Sequence, residues 1–163
     1  MKEKVFAGNF ITVTVDNGIE RVFLKGSVHT FLITDEKRVR ITVEKKLGED
    51  STREKIQGGC LEEGETPLGT AKRELLEELG VMAADWQEFV TQKFTGNLND
   101  VRYYFIARDL TTISTEVDGE IVDTADYSLE ELYEKAMSGE FSPMTQAAIA
   151  RLHFDVSRGV LEL

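Results

Sequence analysis

Short stretches of alternating apolar and polar residues recur through the first third of the chain. They are residues 10–15 (FITVTV), 20–26 (ERVFLKG), 28–34 (VHTFLIT) and 38–45 (RVRITVEK), and turn residues or a glycine separate them. Alternation with a period of two is typical of strands that have one buried face. The pattern therefore predicts four strands, followed by a charged loop at residues 46–54 (KLGEDSTRE).

A helical period replaces this alternation after residue 66. Thr66 is suited to cap a helix N-terminus, Pro67 to begin the first turn, and Gly80 to end the helix. The apolar residues at helical spacing between these limits are Leu68, Ala71, Leu75, Leu76 and Leu79. The sequence therefore predicts an amphipathic helix with one face packed on the rest of the protein.

The second half of the chain predicts more strands and two further helices. Residues 87–94 and 101–110 form a predicted hairpin, residues 120–127 a short strand, and residues 128–139 and 142–156 the two helices. Strands with interspersed helices and no regular βαβ period predict an α/β fold, in which helices cover a mixed sheet. The length of 163 residues suits a single domain that spans the chain.

Composition and charge narrow the classes of function. The chain has 30 acidic and 19 basic residues, and its net charge of −11 disfavours binding to nucleic acid. No apolar run reaches the roughly 18 residues of a membrane span. The first ten residues (MKEKVFAGNF) lack the apolar core of a secretory signal, and a lone cysteine, Cys60, fits a reducing compartment. We therefore expect a cytoplasmic protein that binds neither nucleic acid nor membranes.

Three glutamates share one face of the first predicted helix. Glu74, Glu77 and Glu78 are spaced i, i+3 and i+4, so that like charges lie side by side. One interpretation is a solvent-exposed acidic face, in which Arg73 relieves part of the repulsion. The other is a site for a divalent cation, because clustered carboxylate oxygens suit Mg²⁺ or Mn²⁺.

A longer pattern favours the cation site. Residues 59–81 fit G-x5-E-x7-R-E-U-x-E-E-x-G-U at every specified position, where U is a bulky aliphatic residue. The matching residues are Gly59, Glu65, Arg73, Glu74, Leu75, Glu77, Glu78, Gly80 and Val81. Residues 58–81 thus resemble the signature of the Nudix hydrolases, called the box below. A match of this length on a predicted loop and helix is a specific signal.

The resemblance implies an α/β/α sandwich with a mixed sheet, and hydrolysis of a nucleoside diphosphate linked to another group. By position in the motif, it implies that Glu74 and Glu78 bind Mg²⁺ or Mn²⁺ and that Glu77 contributes a ligand or a water contact. The carbonyl of Gly58 is expected to complete the site, and Arg73 to hold a box glutamate in its rotamer. Such a cation lets an acidic protein bind an anionic pyrophosphate.

Within the family, the layout is similar to the ADP-ribose pyrophosphatase and nucleotide-sugar hydrolase group. Residues 1–26 resemble the N-terminal antiparallel hairpin of that group, and residues 128–156 resemble its C-terminal helices. The resemblance implies a nucleotide-sugar substrate and a homodimer in which each subunit caps the other's site. Gln57 is a departure, because proline is frequent at this position in the group.

An acidic loop in that group supplies a catalytic glutamate, and the corresponding stretch here is TEVDGEIVD (115–123). Its spacing from the next helix favours Glu120, with Glu116 and Asp118 behind it, and Asp118 is also a candidate substrate contact. A solvated acidic loop is an equal interpretation. Lys46 and Arg102 are candidate phosphate contacts, although an exposed lysine at a strand end and an alternating strand face explain them equally well.

Two other functions are open from the sequence. One is hydrolysis of nucleoside triphosphates or dinucleoside polyphosphates, against which the extra N-terminal strands argue. The other is a nucleotide sensor without activity. Such modules commonly lose box glutamates, and this chain keeps all of them.

Overall fold

The computed structural model describes residues 2–46, 48, 50–114, 117 and 121–163. In chain order the elements are β1 (Lys2–Ala7), β2 (Ile11–Asp16), β3 (Ile19–Leu24), β4 (Ser27–Ile33), β5 (Val39–Lys45), β6 (Thr52–Lys55), α1 (Pro67–Leu79), β7 (Val81–Phe94), β8 (Leu98–Thr112), β9 (Ile121–Tyr127), α2 (Leu129–Met137) and α3 (Pro143–Ser157). Glu116, Asp118 and Glu120, the candidate acids of the loop before β9, lie outside the described residues.

The strands form one mixed sheet in the order β1-β2-β3-β8-β4-β5-β6, with β7 paired to β8 and β9 paired to β5. β4 runs parallel to β8, and His29 lies opposite Tyr104 in this pair. β5 is antiparallel to β4, β6 and β9. The mixed sheet that the sequence predicts is confirmed.

Helices cover both faces of this sheet. On one face, Ala71 and Leu75 of α1 pack in clusters that contain Val28 of β4 and Ala107 of β8. On the other face, α2 and α3 pack on a larger cluster of buried side chains, which includes Phe31, Ile41, Tyr104, Leu132, Ile149 and Leu152. The α/β sandwich is therefore confirmed. No helix in the described part of the chain is long and apolar enough to cross a membrane.

The N-terminal strands form a three-stranded ribbon. β1, β2 and β3 are successive antiparallel neighbours, and β3 joins the main sheet by a short parallel pairing of Val22 and Phe23 with β8. Alternation predicted β2 and β3, whereas only the family resemblance pointed to a strand before them. The sequence of β1 (KEKVFA) opens with three charged residues, so its pattern does not predict a strand.

The prediction of a loop at residues 46–54 is wrong for its last residues, because Thr52–Lys55 form the strand β6. The sequence TREK has no apolar alternation. The strand forms because its backbone pairs with β5, with Lys55 opposite Thr42 and Arg53 opposite Glu44. Charged side chains are common on edge strands, where propensity is a weak guide. The extent of the hairpin is also underestimated, since β7 begins at Val81 rather than at residue 87.

His29 on β4 is expected to make the fold sensitive to acid. Its ring stacks on Tyr104 with centroids 4.9 Å apart. Burial, with the charges of Arg102 and Lys55, lowers the pKa of His29 to about 3. Between its ordinary pKa near 6.5 and this value, the unfolded chain binds a proton that the folded chain does not. Folding stability from this group is therefore lost as the pH falls through that window.

We expect His29→Phe, which keeps the ring stack, to flatten the loss of unfolding free energy between pH 7 and pH 5. The expected difference is about 1–2 kcal/mol at pH 5. Urea denaturation at both pH values measures it. Equal losses in the variant and the natural protein would show that His29 does not set this pH dependence.

Candidate active site

The predicted helix α1 begins and ends where the sequence places its caps. The Gly69 N–H donates to Thr66 Oγ1 at 3.1 Å, and Pro67 occupies the first turn. At the other end Gly80 has a left-handed φ of 62°, and its N–H points to the last carbonyls of the helix. A Cβ on Gly80 would lie 2.1 Å from the Ser114 carbonyl oxygen, so glycine also lets that strand end pass close to the helix.

Arg73 connects the box loop to two glutamates of α1. Its Nε and Nη2 donate to the two oxygens of Glu65 at 2.8 and 3.1 Å. Its Nη1 lies 3.0 Å from Glu74 Oε1 and 2.8 Å from Glu77 Oε2. The hydrogen bonds from Arg73 and Thr70 lower the pKa of Glu65 to about 2. Arg73 therefore fixes the loop, through Glu65, relative to the acidic face of the helix.

The carboxylate of Glu74 lies against the backbone of Gly59. A Cβ on Gly59 would be 2.2 Å from Glu74 Cδ and 2.2 Å from Oε1. No residue with a side chain fits there while Glu74 keeps this position. Only 15% of the Glu74 side chain is exposed, so the carboxylate is mostly buried.

Glu78 is buried on the same side of α1 and is held by two side chains, one from the end of β6 and one from the segment that follows it. Gln57 Nε2 donates to Glu78 Oε2 at 3.0 Å, and Lys55 Nζ lies 3.4 Å from Glu78 Oε1. The same Lys55 ammonium lies 2.6 Å from Glu44 Oε2, and Arg53 Nε donates to Glu44 Oε1 at 2.5 Å. Despite the cost of burial, hydrogen bonds and charge from Lys55 and Arg53 lower the pKa of Glu44.

The backbone from Gln57 to Gly59 lies next to the Glu74 carboxylate. The carbonyl oxygens of Gln57 and Gly59 accept from the N–H groups of Thr30 and Val28, at 2.7 and 2.9 Å. Successive carbonyls of an extended chain alternate in direction, so the Gly58 carbonyl is expected to point away from β4. Among the described residues it accepts no hydrogen bond. The structure thus places Glu74 against Gly59 and Glu78 against the side chain of Gln57, the two neighbours of Gly58 in the chain.

The donor set at this place suits a hard divalent cation. Burial raises the pKa of Glu78, and burial with the nearby Glu78 charge raises the pKa of Glu74 in spite of Arg73. A positive ion between the two carboxylates would relieve both penalties. As they stand, no three His, Cys, Asp or Glu side chains in the described ranges form a group that could hold a metal ion. In this arrangement Arg73 pairs with Glu74 and Lys55 pairs with Glu78.

The two described candidates for substrate contacts lie at the end of β5 and on β8. Lys46 follows β5 directly, and its backbone N–H donates to the Ser51 carbonyl at 2.9 Å. Arg102 lies on the sheet face opposite α1, where Asp100 Oδ2 accepts from its Nε at 2.9 Å and Ser142 Oγ lies 3.4 Å from its Nη1. Arg102 therefore lies on the side of the sheet that α2 and α3 cover.

Three residues beside Glu78 were missed as site residues. Glu44 lies on the polar side of β5, and the alternation of polar and apolar residues in β5 could have pointed to it. Lys55 lies on β6, which the pattern did not predict. Gln57 stood out only as a departure from proline, and it is fully buried with its Oε1 unpaired within the described structure.

The sequence of the chain is also similar to those of known proteins. Residues 24–147 match the model of the NUDIX domain. An ADP-ribose pyrophosphatase from Bacillus subtilis (strain 168) is 30% identical over 153 residues, which cover 85% of this chain and 82% of that protein. The family match spans most of the chain, including the box and its neighbouring strands.

Solved structures share the fold at lower identity. The crystal structure of an ADP compounds hydrolase superposes with a TM-score of 0.73 at 20% identity, covering 99% of this chain and 95% of that one. A NUDIX hydrolase from Nitrosomonas europaea gives a TM-score of 0.64 at 21% identity, with coverage of 79% and 88%. With the complete box, the domain match and this fold, the chain belongs to the Nudix family of pyrophosphohydrolases.

Proposed function

We propose that this protein hydrolyses the pyrophosphate bond of a nucleoside diphosphate sugar similar to ADP-ribose. Water attacks one phosphorus, the P–O–P bridge breaks, and the products are a nucleoside monophosphate and a sugar phosphate. The observation that carries the proposal is that Glu74 lies against the backbone of Gly59 while Glu78, one turn further along α1, is bound by the side chain of Gln57 in the same loop. The similarity to an ADP-ribose pyrophosphatase supports the substrate class.

In this proposal Glu74, Glu78 and the Gly58 carbonyl hold Mg²⁺ or Mn²⁺. The bound ion neutralises charge on the pyrophosphate and lowers the pKa of a coordinated water. Glu77 is half-exposed and paired with Arg73, and in this proposal it would contribute a ligand or a contact to a water. Arg73 is a positioning residue, because it orients Glu74 and Glu77 from one guanidinium.

The remaining assignments rest on the family resemblance. We propose that Glu120 acts as the catalytic base, with Glu116 and Asp118 as alternatives from the same loop, and that Lys46, Arg102 and Asp118 contact substrate. The cytoplasmic location and the division of the chain into one domain, residues 1–163, stay predictions.

The reaction is tested with purified protein and Mg²⁺ or Mn²⁺ against ADP-ribose, ADP-, GDP- and UDP-sugars, dinucleoside polyphosphates and nucleoside triphosphates. Chromatography of the products identifies the bond that breaks. A nucleoside monophosphate and a sugar phosphate, formed only with the cation, are the expected products. Preferential cleavage of triphosphates or dinucleoside polyphosphates would assign a different Nudix reaction. Tight binding of one nucleotide without turnover would indicate a sensor.

Gly59→Ala is expected to separate activity from stability. The added Cβ meets the end of the Glu74 side chain, which can turn away without moving the backbone. We expect kcat/KM to fall by roughly 10- to 100-fold, with a loss of unfolding free energy below about 1 kcal/mol. Steady-state assays and thermal denaturation of the same preparation measure the two effects. Full activity in this variant would argue against a role for Glu74 at its present position.

We propose that the N-terminal ribbon forms a homodimer contact. Its exposed apolar side chains include Val5, Phe6, Phe10, Ile11 and Ile19, and β1 is an edge strand. Exposed apolar patches and free strand edges favour association.

Phe10→Asp is therefore expected to shift the protein from dimer to monomer in analytical ultracentrifugation. Phe154→Asp is the matched control, because Phe154 on α3 is similarly exposed, at 57% against 64% for Phe10. A natural protein that sediments as a monomer, or a dimer that only the control disrupts, would contradict this contact.

A further inference from the structure

Lys55 bridges two buried carboxylates beside the proposed cation site. Its Nζ lies 2.6 Å from Glu44 Oε2 on β5 and 3.4 Å from Glu78 Oε1 on α1. Glu44 and Glu78 are only 5% and 9% exposed, and Lys55 itself is mostly covered. Buried carboxylates of this kind are strongly destabilising unless a positive charge and hydrogen bonds compensate them.

The two contacts of Lys55 are unequal. Glu44 is the nearer partner and also accepts from Arg53 at 2.5 Å, so it keeps a cationic partner without Lys55. Among the salt bridges of the described residues, Glu78 has Lys55 alone, supported by the neutral amide of Gln57 at 3.0 Å. The longer distance to Glu78 is at the limit of a hydrogen bond, and this contact is therefore the weaker of the two.

We propose that Lys55 is the internal counter-cation of Glu78. Lys55 compensates the buried carboxylate when no divalent ion is bound, and it retains Glu44 as its partner when an ion takes over Glu78. The proposal rests on the proposed function, because it requires a divalent ion at Glu74 and Glu78. Gln57 holds the second oxygen of Glu78 in both states, which keeps the carboxylate aimed at the ion.

Two consequences follow from placing a fixed positive charge next to a cation ligand. The protein folds with its acidic cluster intact in the absence of the ion, since Lys55 supplies the missing charge. The same charge repels an incoming divalent ion, so the affinity for the ion is weaker than the carboxylates alone would give. Removing Lys55 is expected to change both properties together.

Lys55→Gln tests the proposal by Mn²⁺ titration, followed by electron paramagnetic resonance, and by thermal denaturation with and without Mn²⁺. We expect the dissociation constant for Mn²⁺ to fall about tenfold. We also expect a lower melting temperature without the ion and a larger rise on adding it than in the natural protein. Arg53→Gln is the matched control, because Arg53 pairs with Glu44 but not with Glu78, and its Mn²⁺ affinity is expected to stay near that of the natural protein.

Each outcome separates this inference from the proposed function. If Lys55→Gln unfolds without the ion, recovery of the fold on adding Mn²⁺ supports the inference, and failure to recover overturns it. An Mn²⁺ affinity in Lys55→Gln that is unchanged or weaker also overturns it, while leaving the proposed function standing. Absence of Mn²⁺ binding by the natural protein would instead overturn the cation site, and with it both proposals.

Discussion

Glu78→Gln is expected to lower kcat/KM for the nucleotide sugar by about 10³-fold. The substitution keeps the size of the side chain and the hydrogen bond from Gln57, but it removes the charge that the cation needs. Glu78 is one of the two main cation ligands in the proposal, and it is 9% exposed, so solvent does not readily replace its carboxylate. The measurement is a steady-state assay with Mg²⁺ and with Mn²⁺, using the nucleotide sugar that the substrate panel identifies.

The melting temperature of Glu78→Gln, in contrast to its activity, is not expected to fall. Burial raises the pKa of Glu78 in the folded protein in spite of its partners Lys55 and Gln57. A raised carboxyl pKa means that the ionised form of Glu78 is less favourable in the folded protein than in the unfolded chain. A neutral amide avoids this cost. Without added ion, Glu78→Gln is therefore expected to melt no lower than the natural protein.

Glu63→Gln is the matched control for this experiment, because Glu63 is an exposed glutamate of the box loop that follows Gly59. Its activity is expected to remain within about twofold of the natural protein, since it lies outside the cation ligands. If Glu63→Gln and Glu78→Gln lost activity equally, the total negative charge of the box, rather than a specific ligand at Glu78, would explain the result. If Glu78→Gln kept most of its activity, this carboxylate would not hold the ion.

The sequence predicts the box helix well because its information is local. Thr66, Pro67 and Gly80 act on the backbone within one turn, and they cap α1 as expected. The spacing of Arg73 and Glu77 is a property of a helix, so their ion pair follows from position alone. The arrangement of the two metal-ligand candidates on one helix face is predictable for the same reason.

The rest of the site depends on contacts between distant parts of the chain. Lys55 reaches Glu78 only because β6 pairs with β5, and the sequence of β6 contains no signal for that pairing. Arg102 and Tyr104 both lie on the sheet face away from α1. The register of β8 against β4 decides that these two side chains face α2 and α3. A shift of one residue would reverse both faces, and alternation alone does not fix the register.

Gly58→Ala is expected to be the most destabilising single substitution in the box loop. A Cβ at this position would lie 2.0 Å from the Val28 carbonyl oxygen and 2.9 Å from the His29 Cα, both in the backbone of β4. Backbone cannot turn aside as a side chain does, so the loop and the strand must separate. The separation would also break the hydrogen bonds from Val28 and Thr30 to the loop carbonyls. We expect a loss of at least about 3 kcal/mol of unfolding free energy.

For a chain of this length, that loss corresponds to a melting temperature roughly 6–12 °C lower. Gly64→Ala is the control, because Gly64 also has a positive φ, of 85°, but nothing lies within 4 Å of its added Cβ. Only backbone strain acts there, and it costs about 1 kcal/mol. Equal melting temperatures for the two variants would mean that β4 yields to the loop. The Gly58 carbonyl would then not be held in a fixed position, and this result would argue against the loop backbone as a cation ligand.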